Sequence, residues 1–512
     1  MDRPVDNSRT QRVLGYAGLA AGIGAFIILC ASYFGFTVDD AFISLRYARN
    51  VAAGWGFVFN RVGPPVEGYS NFLWIVLEAA VFRVAPAADP IIAAKLFGVA
   101  FGVAAVVAVY FFARRLYGPA AGGLAAALVG ANAAAPFWAI GGLETTQYLL
   151  LLFVALLLSL RIKDGGFWPA GAGVAWCAAA LARPDGVVMA AAVLGYIIVS
   201  RRGARRAGLL AAAVFAVLYG VYFAWRWHYF GLFLPNTFYA RAGIGVRSLA
   251  SRLIGLWPLV LWVLPAAVLA AWGARRWRKP ETGILWVGVV VAMLAPLVAK
   301  REWMPGYRYE IPFLGLLAVA AAGALAELLK RARVGVAALA LAAGCLYAFL
   351  PGVFLYGDVG YGAKLARAHG ALGQWLATAA PVGGSLAAWD MGAIPYYADF
   401  PVNYDIHPEG LLSTETTRWG YDAAKFIRRK PAFFILFSRR PDCVEAPAGS
   451  WVWVYYRSPD FVRDYKYLFT FTYDRDYHLR VYARAPAAVP PAVLARGAFL
   501  ARATRDGDLA SP

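Results

Sequence analysis

The sequence predicts a polytopic α-helical membrane protein of about 11 transmembrane helices, followed by a small α/β domain outside the membrane. Three observations predict it. The 512 residues are 61% hydrophobic and only 15% charged, whereas soluble domains carry roughly 25% charged residues. Apolar runs near the ~20 residues a spanning helix needs recur from residue 13 to residue 356. The 49 Lys and Arg residues collect largely in short loops between these runs, and after residue 357 the runs give way to short aromatic stretches.

In chain order the runs cover 13–35, 91–113, 119–140, 144–160, 167–183, 187–200, 207–229, 253–274, 282–299, 309–329 and 334–356. The first is no cleavable signal: it is long, and Phe34, Gly35 and Phe36 do not form a small-residue cleavage site. Basic loops hold Arg9 and Arg12, Arg114 and Arg115, Arg161 and Lys163, Arg201 to Arg206, Arg275 to Lys279, and Lys330 to Arg333. Placing all of them in the cytoplasm turns the alternate loops outward. That alternation holds before residue 91 only if 71–85, "NFLWIVLEAAVFRVA", does not cross. With about 15 residues, and with Glu78 and Arg83 inside it, this stretch reads as an interfacial or re-entrant helix. The N-terminus then lies inside and everything after 356 outside. The formal charge of +20 is thus a topology signal; the partner it implies is the lipid bilayer, and nucleic acid drops out.

The outward ends gather acidic, amide and aromatic residues on one face. They hold "TVDDAFISLRYARN" (37–50), "PPVEGYSN" (64–71), "GGLETTQ" (141–147), "ARPDG" (182–186), "LPNTFYAR" (234–241) and "KREWMPGYRYE" (300–310). Ionisable groups near membrane depth are costly and mark function when they face a cavity; loop polarity that merely meets water is the plainer alternative. Asp39 and Asp40 raise each other's proton affinity, which suits a metal site or a general base. The pattern Phe42, Leu45, Arg46 and Arg49 marks a short amphipathic helix, which one aspartate caps; the other is chemical. Arg46 or Arg49 beside it is placed to hold a phosphate. Glu67, Tyr69, Asn71, Glu144, Asp185 and Asn236 are candidates for acceptor or sugar contacts, and Trp303, Tyr307 and Tyr309 either stack on a sugar or join the aromatic belt.

The Asp-Asp pair at the membrane exit, with "RYARN", "GWGFVFN" and "VEGYSNFLW", resembles the GT-C class of lipid-dependent glycosyltransferases, most closely the mycobacterial arabinofuranosyltransferase B type. "GGLETTQYLLLL", "ARPDG", "PNTFYAR" and "WMPGYRYEIP" are similar to further elements of that class. Where arabinofuranosyltransferase B has Ala-Asn-Thr after Val-Glu, this chain has Gly68, Tyr69 and Ser70. The resemblance implies a GT-C type fold and an inverting transfer of a sugar, D-arabinofuranose first, from a polyprenyl-phosphate donor to a cell-envelope glycan hydroxyl. A polyprenyl-phosphate hexose of mannosyl type is its alternative. It also implies a bacterial plasma-membrane protein with an extracytoplasmic site. Asp39 becomes the favoured base with Asp40 as neighbour or substitute. Arg183, Arg241 and Arg308 become phosphate ligands. Glu144 and Asp185 become acceptor ligands or holders of a divalent metal ion, the one cofactor the resemblance leaves open.

Other chemistries find little support. No two of His228, His369, His407 and His478 share metal-ligand spacing, and the four cysteines give no disulfide framework. No Walker loop occurs, so energy enters with an activated substrate. The division reads as a membrane domain 1–356, with a first outer loop 36–90 bearing amphipathic helices, an α/β domain 357–485 and a disordered tail 486–512. In the α/β part, 383–405, 431–438, 450–458 and 467–484 read as strands, the last folding into a hairpin around Asp474 to Asp476. Stretches 361–379 and 415–429 read as helices, and Asp390 sits on a loop facing the membrane site. A lipid or glycan transporter would show repeated halves and helices broken at the midplane; here the unusual residues collect at one face. A membrane scaffold would need no acidic pair there.

Overall fold

The computed structural model describes residues 7–241, 246–274, 280–298, 304–331, 358–379, 384–484 and 489–506, with isolated positions between 344 and 355. Among the described residues of its first 331 positions run fourteen α-helices. They are α1 (Asn7–Ser32), α2 (Asp40–Ala52), α3 (Phe72–Val84), α4 (Pro90–Tyr117), α5 (Pro119–Ala131), α6 (Ala134–Ile140) and α7 (Thr145–Arg161). There follow α8 (Trp168–Ala182), α9 (Asp185–Ser200), α10 (Arg205–Phe230), α11 (Asn236–Arg241), α12 (Val246–Ala274), α13 (Pro280–Val298) and α14 (Ile311–Arg331). Local chemistry sets several ends. Asp89 caps α4 by accepting from the Ile91 and Ile92 amides at 2.8 and 3.2 Å, Pro90 fills the first position, and Gly118 closes the helix at φ 99°.

The protein is a multi-pass membrane protein. Among the described residues five helices are long and apolar enough to cross, or six if α5 and α6, bent by 55°, count as one span. Residues 119–140 were expected as a single run; the break comes at Asn132, whose extended backbone ends α5 while its side chain accepts from the Ala134 amide at 3.2 Å. Helices α8 and α9, and the apolar stretches Pro258–Ala274 and Pro280–Leu294, are shorter apolar segments; the expected run 334–356 falls largely outside the described residues. Helix α3, at 13 residues, is too short to span.

Close packing in the bundle depends on small residues. A Cβ at Gly22 of α1 would lie 2.3 Å from the Ala126 carbonyl of α5, and one at Gly18 would lie 2.6 Å from the Gly123 backbone. Lipid supplies no hydrophobic drive between helices, so such backbone approach carries the association. Gly22→Leu is expected to force α1 off α5 and to cost about 1–3 kcal/mol, read as a lower thermal midpoint of the detergent-solubilised protein.

The C-terminal part carries a five-stranded sheet, order β2-β1-β3-β5-β4, from β1 (Ser385–Ala388), β2 (Val402–Asp405), β3 (Phe433–Ser438), β4 (Lys466–Asp474) and β5 (Tyr477–Ala483). β1 pairs in parallel with β2 and β3, while β5 runs antiparallel to β3 and β4. The β4–β5 hairpin turns at Arg475 and Asp476, as expected. One sheet face shares a continuous apolar cluster with Ile43, Tyr47 and Ile75 of α2 and α3, through Leu372, Trp375 and Leu376. The segment holding α2 and α3 and this domain are therefore packed together.

Three expectations here are corrected. The stretch 383–405 is not all strand: Ala393–Ala398, between β1 and β2, is a helix. "SWVWVYYRS" is no strand: Trp453–Tyr456 is a short helix, and Tyr455 packs on Phe434 of the sheet with its hydroxyl bonded to Tyr421 at 2.9 Å. The stretch read as a disordered tail contains a helix, Pro491–Asp506. Its small residues fit it to the sheet: Gly497 lies against Phe469 and Trp375, and Thr504 Oγ1 accepts from the Thr472 amide at 3.0 Å.

Candidate active site

Helix α2 begins at the acidic pair, and its two carboxylates part company. Asp39 has helical backbone angles, φ −59° and ψ −38°, and makes no capping bond to its own helix, so it is not the aspartate that caps it. Its carboxylate instead accepts from the Gly392 amide at 3.0 Å and the Ala393 amide at 2.9 Å, and lies 3.2 Å from His369 Nδ1. Asp40 lines a cavity of about 450 Å³ together with Ser44, Tyr69, Asn71, Glu144, Arg183, Asp185, Arg308 and Tyr309.

Glu144 organises the cavity's charges. It is 2% exposed, accepts from Arg308 at 2.5 Å and from Asn71 Nδ2 at 3.0 Å, and faces Arg183 at 3.6 Å. Arg308 Nε donates to Thr145 Oγ1 at 3.3 Å, and Arg183 Nε donates to Asp185 at 3.0 Å. Tyr309 packs beneath both guanidiniums, 5.0 Å from that of Arg183 and 5.9 Å from that of Arg308. Asn71 bridges to α2 by donating to Ser44 Oγ at 3.0 Å. Five sequence stretches widely separated in the chain thus meet in one cavity, its two guanidiniums set by a buried carboxylate. This arrangement can hold an anionic phosphate beside a carboxylate able to take a proton.

Other candidates lie elsewhere. Arg46 is fully buried and donates to the carbonyls of Phe59, Pro395 and Phe400 at 2.8, 2.6 and 2.5 Å; it ties α2 to the C-terminal domain and does not reach the cavity. Arg49 pairs with Asp399 at 2.7 Å and lies over the Tyr396 ring. Glu67 forms a buried ion pair with Arg226, and its carbonyl accepts from the Asn236 amide at 3.1 Å. Asn236 is buried and donates to Thr414 Oγ1 at 3.3 Å. These three order the loop that carries Tyr69. Tyr307 takes a left-handed backbone, φ 52°, and stacks near Trp262. Trp303 and the side chain of Arg241 lie outside the described residues. Asp390 accepts from the Tyr477 hydroxyl at 3.0 Å and sits 3.8 Å from His369 Nε2, so it joins Asp39 around His369 rather than the cavity. His369 carried no spacing signal in the sequence, and only its placement inside an expected helix hinted at burial. Among the described residues no group of three or more His, Cys, Asp or Glu is arranged to hold a metal ion.

Residues 74–227 match a family described as dolichyl-phosphate-mannose-protein mannosyltransferase, which takes in Glu144 and Arg183. Residues 359–482 match one described as a domain of unknown function (DUF8728). The chain is 30% identical over 264 residues to the terminal β-(1→2)-arabinofuranosyltransferase of Mycobacterium tuberculosis, over 46% of this chain and 41% of that protein. It therefore spans less than half the length of that relative. ArnT from Cupriavidus metallidurans, solved bound to undecaprenyl phosphate, is similar over 94% of this chain and 99% of its own, with a TM-score of 0.60 at 16% identity. Archaeal AglB from Archaeoglobus fulgidus, in complex with an inhibitory peptide and a dolichol-phosphate, is similar over 81% of this chain and 69% of its own, with a TM-score of 0.53 at 12% identity. The chain therefore shares the fold of ArnT and AglB.

Proposed function

We propose that the protein transfers a sugar, D-arabinofuranose, from a polyprenyl-phosphate donor to a hydroxyl of a cell-envelope glycan on the outer side of a bacterial plasma membrane. The observation that carries the reading is the meeting of Asp40 with Arg183 and Arg308 in one cavity. Asp40 takes the proton of the acceptor hydroxyl as its oxygen bonds to the anomeric carbon. The bond from that carbon to the phosphate oxygen breaks, and its electron pair leaves on polyprenyl phosphate with inversion at carbon. The negative charge gained by the phosphate meets the two guanidiniums that Glu144 holds in place. This reading moves the base from Asp39, first favoured, to its neighbour. Arabinose rests on the mycobacterial relative, and the mannosyltransferase description keeps a polyprenyl-phosphate hexose as the second reading.

The purified full-length chain in detergent, given polyprenyl-phosphate arabinofuranose and an arabinan oligosaccharide, is expected to form a new glycosidic bond. Polyprenyl-phosphate mannose with the same acceptor separates the two sugars. Arg308→Gln is expected to raise the donor KM about tenfold or more, since a charge-assisted bond contributes roughly 1.5–3 kcal/mol. An unchanged donor KM would remove Arg308 from the phosphate site.

A further inference from the structure

The Asp39 carboxylate receives three contacts, all from residues of the C-terminal domain: two backbone amides and one imidazole. Its neighbour Asp40 opens α2 and lines the cavity. We propose that the C-terminal domain positions the base: His369 and the Gly392–Ala393 backbone grip Asp39, and through the start of α2 they aim Asp40 at the acceptor hydroxyl. The proposal rests on Asp40 being that base.

Two features of the grip favour positioning over plain packing. A Cβ at Gly392 would lie 2.3 Å from Asp39 Oδ2 and 2.2 Å from its carbonyl oxygen, so the contact leaves no slack. His369 is buried between two carboxylates, with Nδ1 on Asp39 and Nε2 facing Asp390, where it finds no hydrogen-bond acceptor within reach. A geometry of that kind is held by charge. The groups around the imidazole are Asp39 at the start of α2, Asp390 after β1, Tyr473 of β4 with its ring tilted 33° and 4.9 Å away, and Tyr361 and Tyr477 beside the two carboxylates. Lys364, on the preceding turn, is taken up by Asp474 at 2.6 Å. Burial works against charge on His369, but Asp390 and Asp39 outweigh it and hold the imidazole above its ordinary range. Burial lifts the Asp390 carboxyl to about 6.

The His369 charge is present below its raised value and is lost as pH rises through it, while Asp390 keeps its charge only above about 6. The wild-type kcat is therefore expected to fall on the alkaline side. His369→Gln keeps a donor for Asp39 without the charge. It is expected to lower kcat about 100-fold, the effect of roughly 1 Å of misplacement, to lose the alkaline fall, and to leave the donor KM unchanged. Gly392→Ala, which displaces Asp39 sterically, is expected to share the kcat loss. On the same full-length proteins without substrate, deuterium uptake in peptides spanning 36–45 and 390–394 is expected to rise in both variants.

Wild-type kcat, pH profile and exchange in both variants would overturn the proposal, as would a kcat loss matched by lost affinity for polyprenyl phosphate. Asp40→Asn, assayed alongside, separates the two readings. If it retains activity, the base assignment falls and the positioning role with it. If it is inactive while His369→Gln and Gly392→Ala behave as wild type, only the positioning role falls.

Discussion

Asp40→Asn is expected to lower kcat for sugar transfer by about 10²–10⁴-fold, the range a positioned general base contributes, with the thermal midpoint held near wild type. The asparagine amide is nearly isosteric and Asp40 is only half-buried on the cavity wall, so the fold loses little. What it loses is the carboxylate proposed to accept the hydroxyl proton. The donor KM is expected to stay, because Arg183 and Arg308, the cations proposed for the phosphate, are set by Glu144 and Asp185. Asp39→Asn is the instructive contrast. It removes charge from a carboxylate bonded to two amides and facing an imidazole, so its expected signature is a lower midpoint together with a partial kcat loss. Equal, complete loss in both variants with unchanged midpoints would return Asp39 to the chemistry.

Glu144→Gln is expected to have the largest effect on stability, about 3–5 kcal/mol, the range found when one partner of a buried ion pair is removed. The carboxylate is 2% exposed and serves two guanidiniums. With it neutral, Arg183 keeps Asp185 at 3.0 Å while Arg308 keeps the neutral Thr145 hydroxyl. The measurement is a thermal melt with and without added polyprenyl phosphate. A phosphate bound between the arginines supplies the missing negative charge, so the ligand is expected to raise the midpoint of Glu144→Gln more than that of wild type. An equal rise in both proteins would place the phosphate away from this pair.

The cavity was legible in the sequence to the extent that topology fixes it. Tyr69, Asn71, Glu144, Arg183, Asp185 and Arg308 each sit at or beside an end of an apolar run, and the structure brings all six to one cavity. Arg46 and Arg49 were not legible in this way. Along α2 they look like exposed cations on an amphipathic face, yet their partners, Pro395, Phe400 and Asp399, lie some 350 positions away in another part of the chain. Glu67 looked like a sugar ligand because its partner Arg226 sits unremarked inside an apolar run. The helix over Pro491–Asp506 was hidden by its alanine and proline content, since the apolar surface it covers belongs to the sheet.

The sequence by itself determined that this is a multi-pass membrane protein. Long apolar runs have only lipid as a favourable solvent, and polar residues at their ends have only the faces there on which to meet. The tertiary structure decided which of two identical neighbouring side chains faces the cavity. Consecutive residues on a helix point about 100° apart, so the pair "DD" leaves both assignments open. The choice is made by the rotation of α2 about its axis, and that rotation is set by a domain more than 300 residues downstream, whose Gly392, Ala393 and His369 take Asp39 and leave Asp40 to the cavity.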